Sequence, residues 1–455
     1  MRRVRPSQED RARMRMVVEG LASRIEQAAA GLGIPVRPIL VGSAARGTWL
    51  AGDHDLDIFL GVPEGCSLED ALRVARLVAP EHEEKYAEHP YLHASIEGFD
   101  LDLVPCYLVK DASLLRSAVD RTPFHNAYVA SRIQGLEDEV LLLKQFMKGI
   151  GVYGSELRTG GFSGYLAELL VLFYGSFLDV LRAASLWRPG ERIDLEGNRL
   201  QPERAEPLTV VDPVDPSRNV AAALTEERML EFALSARCFL RMPAMDFFFP
   251  ESPRPLEDGE LAAIMSERRS KLILIEFPAP PVVEDVLFPQ LRKAEGSVRA
   301  LLEREGFSVL RSDVGCFQDG RGCLRAVILL EMEVWELSRA CRREGPPVWE
   351  AEHLDRFLAA HPQPLSGPYI SGGRVVVEIP RRYTHAWDLL DAEIGGLSLG
   401  RHLAPAIRRE HNIYVGSRIA TIKEDGFRLF LSCYFRARAA IWTTESTSSR
   451  HGGPS

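Results

Sequence analysis

Two stretches of this 455-residue chain decide its fold. They are Val41-Gly-Ser-Ala-Ala-Arg46 and, after an eleven-residue gap that follows Ser43, Asp55-Leu-Asp-Ile-Phe-Leu60. The first ends a β-type run in two small residues before a short helical stretch, and such a turn lets backbone N–H groups approach a phosphate closely. The second alternates acidic and apolar residues. As a strand, it places Asp55 and Asp57 on one face, roughly 6.5–7 Å apart.

A second alternating run, Phe99-Asp-Leu-Asp-Leu-Val104, supplies two more carboxylates. Asp100 and Asp102 share a face, and the alternation does not choose between them. If the two strands pair, a third acid joins Asp55 and Asp57. Three acids around two cations about 3.5–4 Å apart suit in-line phosphoryl transfer, and oxygen ligands suit Mg²⁺. The alternative is that these acids only form the solvated face of an edge strand.

Composition excludes several classes of protein. Hydrophobic residues make up 46% of the chain and charged residues 26%, which are ordinary values for a globular protein and argue against disorder. The longest apolar stretch, residues 165–181, is interrupted by Glu168 and Asp179, so no membrane span is predicted. The seven cysteines are scattered without any CxxC pair, and no secretory signal is visible at the start. We therefore expect a protein of the reducing cytoplasm with no membrane partner.

Charge is distributed unevenly along the chain. The formal net charge is −9, which is unfavourable for binding a polyanion. From Arg401 onward, however, nine basic residues stand against four acidic ones. This basic end is compatible with local binding of a nucleic acid, and the alternative is an ordinary solvated helix face.

Changes of pattern divide the chain into several parts. An amphipathic helix is predicted over residues 8–31, before the strands described above, and a further helix begins at Thr122-Pro123. Helices are also predicted at about 136–149, 163–184 and 224–241. The Pro-rich run Phe249-Pro-Glu-Ser-Pro-Arg-Pro255 is the best linker candidate. We therefore expect domains at 1–134, 135–254 and 255–442, with a disordered tail at 443–455.

The last domain has an informative order of elements. A strand at about 271–277 precedes a long helix at 282–304, and strands follow near 307–314 and 323–334. A helix near 350–361 and a strand near 373–380 complete the order βαββαβ. This order predicts a ferredoxin-like sandwich, so the whole chain is predicted to be an α+β multidomain protein.

The acidic motif and several further blocks resemble a known family. The spacing of Gly42-Ser43 and Asp55-Leu-Asp57 is similar to the signature of polymerase-β-type nucleotidyltransferases. The chain resembles, more narrowly, the archaeal-type (class I) CCA-adding enzymes, which are tRNA nucleotidyltransferases. The blocks that carry this resemblance are Val41–Leu50, Asp102–Tyr107, Ser117–His125, Gly161–Leu166 and Val211–Ala221.

The resemblance implies a fold and an activity. It implies a nucleotidyltransferase palm with a mixed sheet as the catalytic head, a helical central (neck) domain, and a ferredoxin-like, RRM-like carboxyl-terminal body whose tail contacts tRNA. It also implies template-independent addition of CCA to tRNA that lacks all or part of this end, from CTP and ATP, with release of pyrophosphate. Two Mg²⁺ ions as cofactor and a homodimer are implied in the same way.

Residue roles follow from the same resemblance. Asp55, Asp57 and Asp102 would hold the two Mg²⁺ ions, and the family pattern thus selects Asp102 over Asp100. The residues implied in binding ATP and CTP are Gly42, Ser43, Arg46, Thr122, His125, Lys144, Tyr153 and Arg218.

Several of these assignments have structural alternatives. Thr122 and His125 would lie on the first turn of a helix, where free N–H groups attract phosphate, but they could be a cap and a surface histidine. Lys144 could be solvated, and Tyr153 could be an ordinary core residue. Arg218 presents a fork of donors suited to a base edge, yet it could merely bridge the aspartates beside it.

Other functions share the same acids. A poly(A) polymerase, an oligoadenylate synthetase or a small-molecule nucleotidyltransferase needs the same three carboxylates, and these enzymes are distinguished by what they extend. A noncatalytic RNA-binding protein on the same scaffold is the alternative from another class. Loss of one acid would have favoured it, but all three are present.

Overall fold

A computed structural model describes residues 1–86, 88–111, 114–198 and 206–436 of the chain. It contains two compact units, which divide between Glu251 and Ser252, inside the predicted Pro-rich linker. The first unit holds both the predicted head and the predicted helical domain, so the division near residue 134 stays a prediction. The tail expected at 443–455 lies outside the described residues.

The first part of the chain, here called the head, is built on a five-stranded sheet. Its elements are α1 (Gln8–Leu32), β1 (Arg37–Val41), α2 (Gly42–Arg46), β2 (Asp55–Val62), α3 (Leu68–Val78), β3 (Glu83–Tyr86), β4 (Pro90–Ile96) and β5 (Phe99–Tyr107). The strand order is β1-β2-β5-β4-β3. Strands β2 and β5 are parallel, and every other neighbouring pair is antiparallel. The predicted mixed sheet with helices is confirmed.

Helix α1 forms where the heptad-like apolar spacing predicts it. Ser7 caps it in a capping box with Asp10, and Gly33 ends it in the left-handed region at φ 67°. Its buried residues are Met14, Val17, Leu21, Ile25 and Ala29, three or four positions apart, so one face packs into the head core.

The helical region follows the head within the same unit and has its own core. Its elements are α4 (Thr122–Ala130), α5 (Glu137–Gly149), α6 (Gly164–Tyr174), α7 (Phe177–Ala184), β6 (Glu191–Asp194), β7 (Leu208–Val211) and α8 (Glu226–Arg241). The single helix expected over 163–184 is wrong, because the chain bends by 94° between α6 and α7. Gly175 takes φ 92° there, and Ser176 caps the new helix. No single helix in the described ranges is long and apolar enough to cross a membrane.

The second unit contains the predicted ferredoxin-like sheet. Its elements are α9 (Asp258–Arg268), β8 (Lys271–Pro278), α10 (Glu284–Arg304), β9 (Ser308–Gln318), β10 (Leu324–Val334), β11 (Ala340–Pro347), α11 (Ala351–Ala360), β12 (Ser366–Ser371), β13 (Arg374–Pro380), α12 (Ala386–Glu393), α13 (Leu403–Arg409), β14 (Asn412–Val415) and α14 (Asp425–Phe435). The order β14-β8-β10-β9, antiparallel throughout, is that of a split βαβ fold.

The fourth strand of this sheet is not the one the sequence predicted. The strand expected at 373–380 is β13, which pairs with β11 and β12 in a separate three-stranded sheet, with α11 beside β11. Strand β14 pairs with β8 instead. The buried run Val375–Val377 resembles a core strand, whereas β14 has only four residues, none of them fully buried, so its periodicity gives almost no signal.

Candidate active site

The register of β2 and β5 gathers the acidic residues on one face of the head sheet. Asp57 lies opposite Asp102, and Asp55 lies opposite Asp100, in a parallel ladder. Neighbouring strands are about 4.8 Å apart, and paired residues point the same way, so four carboxylates share a small area. Asp57 and Asp102 are half-buried, while Asp55 and Asp100 are exposed. The predicted convergence of acids from two paired strands is therefore present.

The crowding of negative charge raises the pKa values of two of these acids. Burial, followed by the charges of Asp102 and Asp55, raises the pKa of Asp57 to about 6, although Arg46 opposes the shift. Burial and the neighbouring acids, Asp53 first, also raise the pKa of Asp55. The face therefore holds more negative charge than it can stabilise alone, which is the property of a site that takes up cations.

The donor set fits a magnesium ion in the company of a nucleotide. In the described part of the chain, no group of three or more His, Cys, Asp or Glu side chains is arranged to hold a metal by itself. Mg²⁺ is usually held by one or two carboxylates together with waters and substrate phosphates. The pair formed by Asp57 and Asp102 meets that requirement, because a triphosphate would supply the remaining oxygens.

Two neighbours fix the carboxylates in place. Gly42 has φ 73°, a backbone conformation that favours glycine. A Cβ at this position would also collide with the carboxylate of Asp57, so a residue without a side chain is needed here. Strand β1 pairs Val41 with Asp57, which brings the turn and the part-buried Ser43 to the acids. His93 Nδ1 lies 2.7 Å from Asp102 Oδ1. Sequence reasoning missed His93; its signal was its place between the buried residues of β4.

A buried carboxylate organises two of the predicted cations. Glu168 Oε2 lies 2.9 Å from Arg46 Nη2, and Glu168 Oε1 lies 3.3 Å from Lys144 Nζ. Thr48 Oγ1 donates to Glu168, and Lys144 donates to the Thr48 carbonyl at 3.1 Å. Burial lowers the pKa of Lys144, and Glu168 opposes that shift. We call these four residues the Glu168 cluster. It carries two positive charges and one negative, all almost inaccessible to water.

A second buried carboxylate, Asp212, holds two more of the predicted residues, His125 and Arg218. His125 Nε2 lies 2.8 Å from Asp212 Oδ2, and its ring stacks on Tyr165 with centroids 4.3 Å apart. Arg218 Nη1 lies 2.9 Å from the same oxygen. Burial alone would raise the pKa of Asp212, but the hydrogen bond and charge of His125 and further donors lower it to about 2. Arg218 thus bridges to one of the flanking aspartates, and 38% of its side chain stays exposed.

The remaining predicted residues lie around these clusters. Thr122 is the first residue of α4 but not its cap, because a short 3₁₀ helix, Val119–Arg121, runs directly into it. Buried Asp120 causes this turn by accepting bonds from backbone N–H groups, among them that of Ser117 at 2.9 Å. The pKa of Tyr153 is raised, chiefly by burial.

Arg46 connects the three groups of residues. It opposes the rise in the pKa of Asp57, it pairs with Glu168, and its Nη1 donates to Asn126 Oδ1 of α4 at 2.9 Å. The structure thus links the acids, the Glu168 cluster and α4 within one unit. Tyr153 joins them less directly: a Cβ at Gly164 would lie 3.0 Å from its hydroxyl and 3.5 Å from Lys144 Nζ.

Comparison with known proteins finds related families for three successive parts of the chain. Three family models match: a nucleotidyltransferase domain over residues 23–125, a tRNA nucleotidyltransferase second domain over 138–249, and a CCA-adding enzyme C-terminal domain over 268–416. The CCA-adding enzyme of Methanosarcina barkeri is 45% identical and covers 95% of this chain and 96% of its own length. This chain belongs to the CCA-adding enzyme family.

Other members of the family match over similar lengths. The CCA-adding enzyme of Methanosarcina mazei is 43% identical, covering 95% of this chain and 96% of its own length. That of Methanothermobacter thermautotrophicus is 41% identical, covering 97% and 98%. The nucleotidyltransferase match includes the acids and Arg46, and the second-domain match includes Lys144 and Glu168. The Glu168 cluster therefore combines residues from the parts of the chain that match these two family models.

Asp57→Asn tests the burial of charge at the acids in metal-free protein. Because the fold raises the pKa of Asp57 from 3.8 to about 6, the native state binds this proton more tightly than the unfolded state, and stability falls as pH rises between these values. We expect the variant to be more stable than wild type by about 3 kcal/mol above pH 6, and the difference to vanish near pH 4.

Denaturant unfolding with EDTA at several pH values measures this difference. Asp100→Asn is the matched control, since it removes an exposed carboxylate from the same face. A stabilisation by Asp57→Asn that did not change between pH 4 and 7 would contradict the buried-charge interpretation.

Glu168→Gln tests the second feature. It leaves Arg46 and Lys144 buried without their counter-charge, and we expect the free energy of unfolding to fall by about 3–5 kcal/mol at neutral pH. Glu139→Gln is the control, because Glu139 accepts a backbone N–H from Phe177 and touches neither cation. Equal unfolding midpoints for the two variants would show that Glu168 does not balance this cluster.

Proposed function

We propose that this chain adds C, C and A to the 3′ end of tRNA without a nucleic-acid template, using CTP and ATP and releasing pyrophosphate. The observation that carries the proposal is the in-register pair of Asp57 and Asp102 in a chain that matches CCA-adding enzymes along nearly its whole length. The nucleotidyltransferase superfamily uses divalent metal ions. We propose two Mg²⁺ ions here.

The acids have distinct places in this reaction. Bound Mg²⁺ would lower the pKa of the primer hydroxyl and neutralise developing charge on the triphosphate. Asp102 lies on the central strand β5 and would position the 3′-hydroxyl. Asp55 and Asp57 lie along β2 beside the Gly42-Ser43 turn, so they would hold the metal ions on the side of the incoming triphosphate.

The Glu168 cluster would receive the triphosphate. Its excess positive charge is already desolvated and fixed in position, so it can stabilise charge on the phosphates without reorganising during the reaction. Ser43 and Arg46 both lie in the short helix α2, three residues apart. The hydroxyl of Tyr153, near Lys144, could donate to a ribose or phosphate oxygen.

Asp212 would prepare the residues that face the base. Only Nη1 of Arg218 bonds to Asp212, and the partly exposed guanidinium keeps donors for the acceptor atoms of a cytosine or adenine edge. The same carboxylate and stacking on Tyr165 hold the His125 ring in place. His125 would therefore form a rigid part of the nucleotide pocket beside Thr122. If Arg218 selects both cytosine and adenine, its guanidinium must be held in a defined position, and the bond to Asp212 would do this.

The other functions considered for this scaffold are not favoured. Poly(A) polymerases and small-molecule nucleotidyltransferases need the same acids, but the full-length matches are to CCA-adding enzymes. All three acids are present, which gives no support to a noncatalytic RNA-binding protein. The homodimer and the cytoplasmic location stay predictions from the sequence.

The activity is tested directly with purified protein. With Mg²⁺, CTP, ATP and tRNA that lacks its CCA end, we expect extension by three nucleotides and then a stop. Asp57→Ala should abolish incorporation while changing tRNA affinity only a few fold, because binding rests on phosphate and shape contacts elsewhere. Long A tracts would contradict the proposed product, and turnover by Asp57→Ala would refute the metal assignment.

Arg218→Ala tests base selection. The variant should use CTP and ATP less well relative to UTP and GTP, as measured by the ratios of kcat/KM, while its tRNA affinity changes less. Arg192→Ala, in the neighbouring strand β6, is a control for loss of an arginine in this region. If incorporation of all four nucleotides fell by the same factor, Arg218 would not read the base.

A further inference from the structure

The first fifteen residues form a basic surface that the proposed function does not use. They contain six arginines and two acids, and the arginines are Arg2, Arg3, Arg5, Arg11, Arg13 and Arg15, all exposed. We call these six residues the N-terminal arginine surface.

The topology of the head places this surface at the end of the sheet where the acids lie. This end, here called the edge, is formed by the carboxyl end of β1 and the amino ends of β2 and β5. Strand β1 ends at Val41, opposite Asp57, and α1 joins the other end of β1 through a few residues. Helix α1 packs along β1 and against the sheet face opposite the acids, so its N-terminal half returns to the same end of the strands. The helix is about 37 Å long, roughly twice the length of β1, so its first turns reach past that edge.

Individual contacts confirm this position. Arg13 donates to the carbonyl of Glu97, in the turn directly before β5, and its guanidinium lies 5.4 Å from the ring centroid of Phe99. The N–H of Ala51 donates to the Val4 carbonyl at 2.9 Å, which ties the N-terminal residues to the turn before β2. Strands β2 and β5 carry the acids near these same ends.

Two of the arginines also adjoin the phosphate-binding turn. Arg11 and Arg15 line a cavity of about 330 Å³ together with Ala44 of α2 and the following Gly47. The cavity floor includes Trp49, a buried residue of the head core. Arg11 and Arg15 thus lie close to α2, where they can add positive potential near the site.

Most of the charge on this surface is not neutralised. Within the described ranges, Arg5 pairs with Asp138, but no acid pairs with Arg2, Arg11 or Arg15. Arg3 lies 3.8 Å above the ring centroid of Phe249, a contact that keeps its charge. A protein of net charge −9 that keeps unpaired arginines in one place has a local region suited to a polyanion.

The basic end of the chain differs in this respect. Lys423 and Arg428 pair with Asp258, and Arg436 pairs with Glu260. Arg428 is almost fully buried and also donates to backbone carbonyls. Three of the basic residues that the sequence placed at the carboxyl-terminal end therefore stabilise the second unit, whereas Arg401, Arg408, Arg409 and Arg418 pair with no acid in the described ranges.

We propose that the N-terminal arginine surface binds the phosphate backbone of the tRNA whose 3′ end lies at Asp57 and Asp102. This inference rests on the proposed function and names a contact surface for its RNA substrate. Arginines bind phosphates through bidentate hydrogen bonds, and phosphate contacts set register and affinity without reading sequence. An RNA 3′ end bound at the acids would lie at the same end of the sheet as these arginines.

The test is a triple substitution, Arg2→Gln with Arg11→Gln and Arg15→Gln, in the full-length protein. The control removes three exposed arginines outside the first fifteen residues, Arg37→Gln with Arg188→Gln and Arg241→Gln, and so makes the same change in net charge. Both variants are titrated with tRNA lacking its CCA end at several salt concentrations, and with CTP alone.

We expect the triple variant to bind tRNA at least about tenfold more weakly than wild type near 0.1 M salt. The slope of log K against log salt should fall by about 2–3, since each lost phosphate contact removes about one released counterion. CTP affinity should stay unchanged, and the control should bind tRNA nearly as wild type does.

Two results would overturn the inference. Equal tRNA affinity and salt slope for the triple variant and the control would show that the surface takes no part in RNA binding. Equal weakening of CTP and tRNA binding would show that the arginines serve the nucleotide instead. Both readouts measure binding, so they remain distinct from failure of the proposed function, which is absence of CCA addition by the wild-type protein.

Discussion

The parallel register of β2 and β5 is the constraint on which the site depends. It places Asp57 opposite Asp102, in a half-buried position where two carboxylates repel each other. A fold that optimised its own stability would separate these charges, but here Gly42, with no side chain, lets the turn press against Asp57. The arrangement is favourable only with cations present, so the energetic cost of the metal-free fold becomes affinity for the metal and its nucleotide.

The basic side of the site is organised by the opposite means. Glu168 and Asp212 are both completely buried, and each holds two basic side chains that come from different elements. Pairing with a buried acid fixes the position of each basic side chain, but it also neutralises part of the positive charge. The remaining N–H donors are then held in fixed orientations, which suits recognition of a triphosphate and a base better than flexible surface lysines would. The link between head and helical region is thus electrostatic as well as apolar.

Much of the fold was predictable, because the decisive signals are local. Alternation revealed the acidic strands, and caps and glycines marked most helices, but whether the acids pair depended on the register of strands far apart in sequence. The position of β14 was missed because tertiary pairing with β8 outweighs the weak signal of four residues. The role of Glu168 as a counter-ion was missed for a similar reason, whereas the ion pair of Arg218 with Asp212 is one of the alternatives that the sequence left open. A carboxylate within an apolar helix shows that a partner must exist, but the sequence does not say which cation it is.

The net charge of this chain says little about how it meets RNA. At physiological ionic strength, charges are screened beyond about 8 Å, so an acidic patch on a distant helix hardly affects a phosphate beside α1. What matters is whether cations near the RNA path are already neutralised. Arg428 and Lys423 share Asp258, whereas Arg2, Arg11 and Arg15 pair with no acid in the described ranges. Counting charges along the sequence favoured the carboxyl-terminal end, but counting unpaired charges in the described ranges removes Lys423, Arg428 and Arg436 there and only Arg5 among the six arginines at the start. The second count is the relevant one, because a cation already bonded to a carboxylate releases little counterion when a phosphate approaches.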